Sequence, residues 1–478
     1  MDVMKIIFLV YQVTAILAVI HVVMDNRQPA KTVAWALVIF FVPIVGLLAY
    51  LFFGVNTRRE RMVEQRSLDQ LSRRSMLKFV EQRDLSLPED YQSLINLFVN
   101  QNFSLPFYNN KVDFLTDGYQ FFLSLLRDIG KAKHHIHIDI YIFEDDALGH
   151  LVADALIDRA RHGVEVRVIY DDVGCWSVKQ QFFERMREEG IEVVPFLPVR
   201  FPQFTSKANY RNHRKIIVID GQIGYIGGMN IALRYVKGGK KHRIKSDCWR
   251  DTMARIEGEG VYTLQRLFLI DWYFVDRTLL SDKKYYAAPL LQPTKKALLQ
   301  AVSSDPVSPY PEILQGYVQL ILGARKYVYI ETPYFIPNGV VLFALKTAAS
   351  KGVDVRLLVP LHGDTWLTQW ASRSYLREVV EAGVQVSLYD AGFLHSKLMV
   401  CDDAVSTCGS TNIDFRSLEN NFEANVFFYD EEVAQRLCNI YLEDEKHSIS
   451  LASLPSRMSP RFVVRLWESL TRIFSPLL

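Results

Sequence analysis

The chain has 478 residues, enough for two domains or one large duplicated one. Hydrophobic residues make up 49% and charged residues 23%, with a formal net charge of +2. That balance excludes a protein that grips nucleic acid by charge alone. The five cysteines (Cys175, Cys248, Cys401, Cys408, Cys438) are scattered with no C-x-x-C, which fits a reduced, cytoplasmic setting and neither a zinc site nor a disulfide framework.

Residues 6–24, IIFLVYQVTAILAVIHVVM, and 33–54, VAWALVIFFVPIVGLLAYLFFG, contain no acid, Lys or Arg. Each reaches the ~20 residues that span a bilayer as helix, the form that satisfies its own backbone in lipid. Pro43 kinks the second. The short link at 25–32 makes the pair a hairpin, and the second segment, lacking a cleavage-like end, argues against a signal peptide. Arg58, Arg59, Arg61, Arg66, Arg73, Arg74 and Lys78 follow. By the positive-inside rule they put that side in the cytoplasm, beside anionic lipid. Two transmembrane helices are thus expected over 1–54, and a charged helical connector over 55–105.

The next region alternates strand and helix. Residues 133–143, KHHIHIDIYIF, read as a strand with His135 and His137 on one face. No third ligand stands at a metal-like spacing, which favours ordinary strand positions. A helix over 148–162 carries Leu148, Leu151, Val152, Ala155 and Leu156 on one side. Gly163 ends it before the strand VEVRVIYDD. The pattern recurs as YVYIETPYF near 327–335, a helix near 339–351, Gly352 and VDVRLLVP. An α/β fold of two mixed sheets with covering helices follows, as a tandem duplication over 106–290 and 291–447.

Each half holds one copy of a longer motif. The first has His213, Lys215 and Asp220, the second His395, Lys397 and Asp402. A small-residue turn follows and ends in Asn230 or Asn412, with Arg234 or Arg416 four places on. His and Lys two apart point to the same face of a strand, and the apolar runs 216–219 and 398–401 suit a strand buried on both faces. A third shared segment aligns Asp251 with Glu423, acids placed to fix a histidine tautomer. Asp139 and Glu331 match more weakly. The duplication predicts one active site with a histidine from each half across a pseudo-twofold axis. Lys215 and Lys397 would neutralise a phosphodiester, with Asn230 and Asn412 donating to its oxygens. No carboxylate cluster suited to Mg²⁺ stands in the motifs, so no metal or other cofactor is expected. With unperturbed pKa values of ~6.5, one histidine would be neutral and the other protonated. Asp220 and Asp402 end the motif strands and are expected to pair with nearby cations.

The doubled H-x-K-x4-D resembles the phospholipase D superfamily signature over roughly 106–447. The resemblance implies double displacement through a phosphohistidine, with His213 as nucleophile and His395 as acid/base. The residues Gln28-Pro29-Ala30-Lys31-Thr32-Val33-Ala34-Trp35, Pro43, Gly46, Tyr50 and Gly54 resemble the N-terminal region of bacterial cardiolipin synthases. So do Thr332-Pro333-Tyr334-Phe335, Trp370-Ala371-Ser372-Arg373, Phe393-Leu394-His395 and the closing Phe474-Ser475-Pro476-Leu477-Leu478. That family implies a phosphatidyltransferase of the bacterial inner membrane with its catalytic domain cytoplasmic. It would join two phosphatidylglycerol molecules and release glycerol. The partners expected are phospholipid and membrane, not nucleic acid, with oligomeric state left open. A membrane phospholipase D that yields phosphatidic acid is the nearest alternative. In the tail, 448–478, Val463, Trp467, Leu470 and Phe474 share a helical side with Arg461, Arg465 and Arg472 among them, as in an interfacial helix. Packing of that helix on the catalytic domain is the other reading. The stretch 197–215, with Arg200, Phe201, Phe204, Lys207, Tyr210 and Arg211, offers a second lipid-facing segment.

Overall fold

The computed structural model describes residues 3–24, 29–42, 44–50, 89–199, 210–237, 248–286, 297–306, 308 and 311–477. The Arg/Lys cluster at 58–78, most of the connector and residues 200–209 lie outside the described residues.

The first half contributes β1 (Phe107–Leu115), β2 (His135–Ile140), β3 (Glu165–Asp171), β4 (Glu192–Phe196), β5 (Lys215–Ile219), β6 (Ile223–Gly227), β7 (Trp249–Arg250) and β8 (Met253–Gly258). The second contributes β9 (Ala297–Ser304), β10 (Tyr327–Glu331), β11 (Phe335–Ile336), β12 (Asp354–Pro360), β13 (Gln385–Tyr389), β14 (Phe393–Leu394), β15 (Leu398–Cys401), β16 (Val405–Gly409), β17 (Ile413–Asp414), β18 (Glu423–Phe428) and β19 (Ser448–Ser450). Fifteen of them form one sheet, ordered β19-β13-β12-β10-β15-β16-β18-β9-β1-β8-β6-β5-β2-β3-β4. Read outward from its centre, β1-β8-β6-β5-β2-β3-β4 mirrors β9-β18-β16-β15-β10-β12-β13, so the duplication is a pseudo-twofold within the sheet.

Two separate sheets were expected; one continuous sheet is found. The reason lies in β1 and β9, each an edge of its own repeat. They pair antiparallel at Phe107↔Leu299 and Asn110↔Ala297, with an irregularity between. The Asn110 side chain bridges it, donating to the carbonyls of Phe107 (2.7 Å) and Ala297 (3.0 Å) and accepting from the Gly260 amide at 2.7 Å. Two open edges are thereby satisfied at once.

Helices cover both faces. Gly118–Lys131, Ala147–Arg161 and Gln180–Glu188 pack on one side of the first half, and Glu312–Gly323, Gly339–Ser350 and Trp366–Glu381 on one side of the second. Val261–Asp276 and Glu431–Glu445 cover the opposite face. Strand β5 meets both layers: Ile217 and Ile219 enter one core, Ile216 and Val218 the other. This is the two-sided burial its unbroken apolar run predicts. Leu151, expected on the covered side of its helix, is instead exposed. His135 and His137 are fully buried. Gln265 bridges them at 2.9 and 2.8 Å, and His137 stacks on Phe268, so they are core residues of β2.

At the N-terminus, helices Val3–Met24 and Pro29–Phe41 pack on each other through Val19, Val22, Trp35 and Ile39. The Tyr11 hydroxyl donates to the Ile39 carbonyl at 3.0 Å. Among the described residues no helix is long and apolar enough to cross a membrane. The second expected span is broken: helix ends at Phe41 and resumes only over Val45–Ala49, with Ile44 at φ 63° between. Thirteen helical residues rise about 20 Å.

The tail combines both readings made for it. Helix Phe462–Arg472 packs its polar face on helix Trp366–Glu381. Glu468 there meets Arg377 at 2.8 Å, and Arg472 meets Glu378 at 2.8 Å. Val463, Trp467, Leu470 and Phe474 face outward. Arg211, expected near lipid, is instead buried beside Asp171 at 3.5 Å.

Candidate active site

The two histidine segments are each held by the opposite half. The Phe422 amide donates to the Arg211 carbonyl and the His213 amide to the Phe422 carbonyl, both at 2.9 Å. In the mirror position β14 pairs with β7, and the His395 amide donates to the Arg250 carbonyl at 2.7 Å. Phe422 and Arg250 are the residues just before Glu423 and Asp251. The backbone therefore delivers each acid to the other half's imidazole. His213 Nδ1 lies 2.9 and 3.1 Å from the two carboxylate oxygens of Glu423, and His395 Nδ1 lies 2.6 Å from Asp251 Oδ2. Donation from Nδ1 to these acids leaves Nε2 of each ring for chemistry.

Both lysines lie in the same buried layer. Lys215 Nζ donates to the His213 carbonyl at 2.7 Å. Lys397 Nζ donates to the His395 carbonyl and stands 2.8 Å from His395 Nδ1 and 3.7 Å from Asp251. With the Nδ1 proton given to Asp251, the Lys397 contact is one of charge, not a hydrogen bond.

Burial lowers the His213 pKa to about 4; Glu423 opposes the shift and Lys215 and Lys397 add to it. Burial and then Lys397 lower His395 to about 3, against Asp251 and with help from Lys215. Each histidine is thus depressed by the lysine of the other half, so the two motifs share one electrostatic centre. Burial also lowers Lys215 to about 7 and Lys397 to about 8. Glu423 and Asp251 stay below the usual carboxylate range although burial opposes it, because His213 and Lys215 hold the first and Lys397 and His395 the second. The expectation of one neutral and one protonated histidine is therefore corrected: at neutral pH both rings of the free site are neutral, because charging either would cost desolvation.

Asp220 and Asp402 stand outside this centre. Each is the first of the three residues that link its motif strand to the next, 220–222 or 402–404, with φ 54°, and is followed by Gly221 (φ 66°) or Asp403 (φ 55°) in a tight turn. Such a turn needs positive φ at both central residues, which Asp and Gly tolerate. Their carboxylates accept backbone amides, not cations as expected. Asp220 takes those of Lys133, His134 and His135 at 2.8–3.1 Å. Asp402 takes those of Arg325, Lys326 and Tyr327 at 2.7–2.8 Å. Asn230 accepts from the Ile142 amide (3.0 Å) and donates to the Tyr235 hydroxyl (3.2 Å), which stands 3.4 Å from His395 Nδ1. Asn412 donates to Asp414 at 3.1 Å.

Four residues at the site have roles that the sequence reading did not assign, two of them, Gly228 and Ser410, in the small-residue turns. The Ser410 hydroxyl donates to Glu423 Oε2. At the matching place a Cβ on Gly228 would fall 2.2 Å from Asp251 Oδ1, so only glycine fits there. Arg214 Nε donates to the Glu423 carbonyl at 3.1 Å while its Nη1 binds Asp271 at 2.6 Å. Arg250 Nη1 donates to the Asp251 carbonyl at 2.8 Å while its Nε binds Asp444 at 2.9 Å. Each histidine-bound acid thus has its backbone braced by an arginine, Arg214 buried and Arg250 half-buried, that is itself neutralised. The weakly matched Asp139 and Glu331 sit in the same two clusters. Burial raises both, with Asp271 adding to the first and Asp444 to the second. Among the described residues no group of three or more His, Cys, Asp or Glu is placed to hold a metal ion.

The paired half-sheets and the twin His–Lys centre are those of a phospholipase D-like protein. The solved phosphatidylserine synthase of Haemophilus influenzae shares the fold, with a TM-score of 0.62 at 16% identity over 82% of this chain and all of that one. The family model for the cardiolipin synthase PLD-like domain matches residues 125–242 and 317–444, and a phospholipase D-nuclease N-terminal model matches 13–54. A cardiolipin synthase of Geobacillus kaustophilus is 37% identical over 460 residues, 95% of this chain and 90% of that one. The major cardiolipin synthase of Bacillus subtilis is 36% identical over 97% of both chains. The chain belongs to the cardiolipin synthase family.

Proposed function

We infer that the protein is a phosphatidyltransferase that makes cardiolipin from two phosphatidylglycerol molecules and releases glycerol. The observation that supports this best is the cross-half pairing of two imidazoles with two acids beside two buried lysines, in a chain related to cardiolipin synthases over nearly its whole length.

His213 Nε2, neutral in the free site, attacks the phosphorus of the donor. The phosphorus–oxygen bond to glycerol breaks, and glycerol leaves with a proton from His395 Nε2. The acceptor lipid's primary hydroxyl then gives its proton to His395 and attacks the phosphohistidine. The phosphorus–nitrogen bond breaks and His213 returns to its neutral form. His395 takes up the proton it needs from solvent as the substrate binds. Two lysines and two carboxylates cancel in the free site, and an entering phosphodiester anion tips the balance toward an imidazolium. Glu423 and Asp251 fix the tautomers, and Lys215, Lys397, Asn230 and Asn412 hold the phosphoryl oxygens. Exchange of one phosphodiester for another requires no nucleotide.

The N-terminal helices serve as the membrane anchor in this reading, with residues after 55 on the cytoplasmic face of a bacterial inner membrane. The outward apolar side chains of the first helix, Leu9, Val13, Ile16, Leu17 and Ile20, support it, as do those of the tail helix. The two repeats over 106–290 and 291–447 form the catalytic unit. Purified full-length protein given phosphatidylglycerol in neutral detergent with chelator should yield cardiolipin and glycerol in equal amounts. Phosphatidic acid as the main product would instead mark a hydrolase.

A further inference from the structure

A small cleft open to solvent lies beside the active centre, with Tyr334, Leu361, Gln369, Arg373 and Arg457 in its walls. Tyr334 is one aromatic step from the chemistry: its ring centre lies 6.4 Å from Phe393, and Phe393 lies 5.9 Å from His395. Two guanidinium groups face the space. Arg373 lies over Trp370 at 4.2 Å, and its buried Nε has no hydrogen-bond partner among the described residues. Among the described residues Arg457 reaches only the Leu361 carbonyl, at 3.5 Å. Among the neighbouring acids, Glu468 pairs with Arg377 and Glu378 with Lys346 and Arg472, while Asp364 accepts from the Tyr334 hydroxyl at 2.6 Å through one oxygen and its other, buried oxygen has no hydrogen-bond partner among the described residues. Burial lowers both arginines; Glu468 opposes the shift at Arg373, and Arg373 depresses Arg457 further. Two half-buried like charges with no ion pair of their own among the described residues form a site that an anion completes. The helix that carries Arg373 begins at exposed Trp366, which stacks on the half-exposed Trp467 of the tail, so an apolar surface borders the same region.

We propose that this cleft is a second anion subsite, which binds the phosphodiester of the acceptor phospholipid while that lipid's glycerol hydroxyl reaches the phosphohistidine. The inference rests on the transferase reading. Its chemistry requires such a subsite. The acceptor carries its own negative charge one glycerol unit from the attacking oxygen, and recognition of that charge selects lipid over water.

The test uses Arg373→Gln and Arg457→Gln in full-length protein, in neutral detergent micelles where membrane charge plays no part. Three quantities are read: the burst of glycerol released from phosphatidylglycerol, steady-state cardiolipin, and transfer to ethanol as a neutral acceptor. Loss of a charge-assisted contact to the acceptor should cut cardiolipin formation about tenfold. The burst and the ethanol transfer should stay at the wild-type level, with phosphatidic acid rising as water takes the intermediate. Arg373→Lys should recover part of the loss. An equal fall in all three readouts, or no change in cardiolipin, would overturn the subsite. Failure of the wild-type protein to make any cardiolipin would instead count against the transferase reading.

Discussion

The two halves of the centre are built on one plan but finished differently. His213 receives both oxygens of a longer acid, Glu423, which Ser410 steadies; His395 receives one oxygen of the shorter Asp251, packed against Gly228. Tyr141 stands edge-on to His213, whereas Trp249, Phe393 and Tyr235 surround His395. The lysines differ too: both donate to their own histidine's carbonyl, and Lys397 in addition stands 2.8 Å from its histidine's Nδ1. Burial lowers both rings, but after burial the strongest influence at His213 is Glu423, which favours the proton, and at His395 it is Lys397, which disfavours it. That asymmetry gives a physical reason for casting His213 as nucleophile and His395 as acid.

The sharpest way to break this comparison is to remove each ring. His213→Ala and His395→Ala should each lower kcat about 10⁴-fold or more. Only the first should also abolish a covalent intermediate when an activated phosphodiester, which needs no acid, is supplied. Next come Glu423→Gln and Asp251→Asn, each expected to cost roughly 10³-fold in kcat by loss of tautomer control. Because the pairing crosses the halves, Glu423→Gln should slow intermediate formation from the activated substrate and Asp251→Asn should not; a pre-steady-state burst reads the difference. Arg214→Met leaves Asp271 and Asp139 without their cation and should destabilise the fold by about 3–5 kcal/mol in denaturant unfolding. Arg250→Met should do the same through Asp444 and Glu331.

The pH dependence follows from the same site. kcat/KM reports the free enzyme. It should fall as pH drops below about 4, where His213 takes a proton on its attacking nitrogen. It should also fall as pH rises through about 7–8, where Lys215 and then Lys397 lose the charge that holds phosphate. A flat profile from pH 7 to 10 would remove the lysines from phosphate binding. The smallest effect belongs to the turn acids. Asp220→Ala or Asp402→Ala should cost about 2 kcal/mol of stability through lost amide contacts, with turnover per folded molecule unchanged.

What the sequence made legible was whatever repeats. The H-x-K-x4-D strands, the alternation of strand and helix and the matched acids Asp251 and Glu423 all stand out because each occurs twice at fixed spacing. What it concealed depends on contacts between the halves. Glu423 reaches His213 across 210 residues, and no local period encodes that. The arginine braces are hidden for a further reason. Arg214 sits between His213 and Lys215, yet its counterpart in the second copy is Ser396. The second brace comes from Arg250, opposite Phe422, so the internal alignment conceals a pair that the fold makes equivalent. The expectation that the turn aspartates pair with cations missed that each hairpin aims its carboxylate at three backbone amides. The single sheet depends on β1 meeting β9, and their pairing rests on Asn110, which has no counterpart motif.

The account stands most directly on the covalent intermediate. Protein mixed briefly with phosphatidylglycerol labelled in its phosphate, quenched in alkali and digested, should yield one labelled peptide carrying His213 as a phosphatidyl adduct, formed no more slowly than glycerol is released. Steady cardiolipin production with no histidine adduct at any quench time would contradict it.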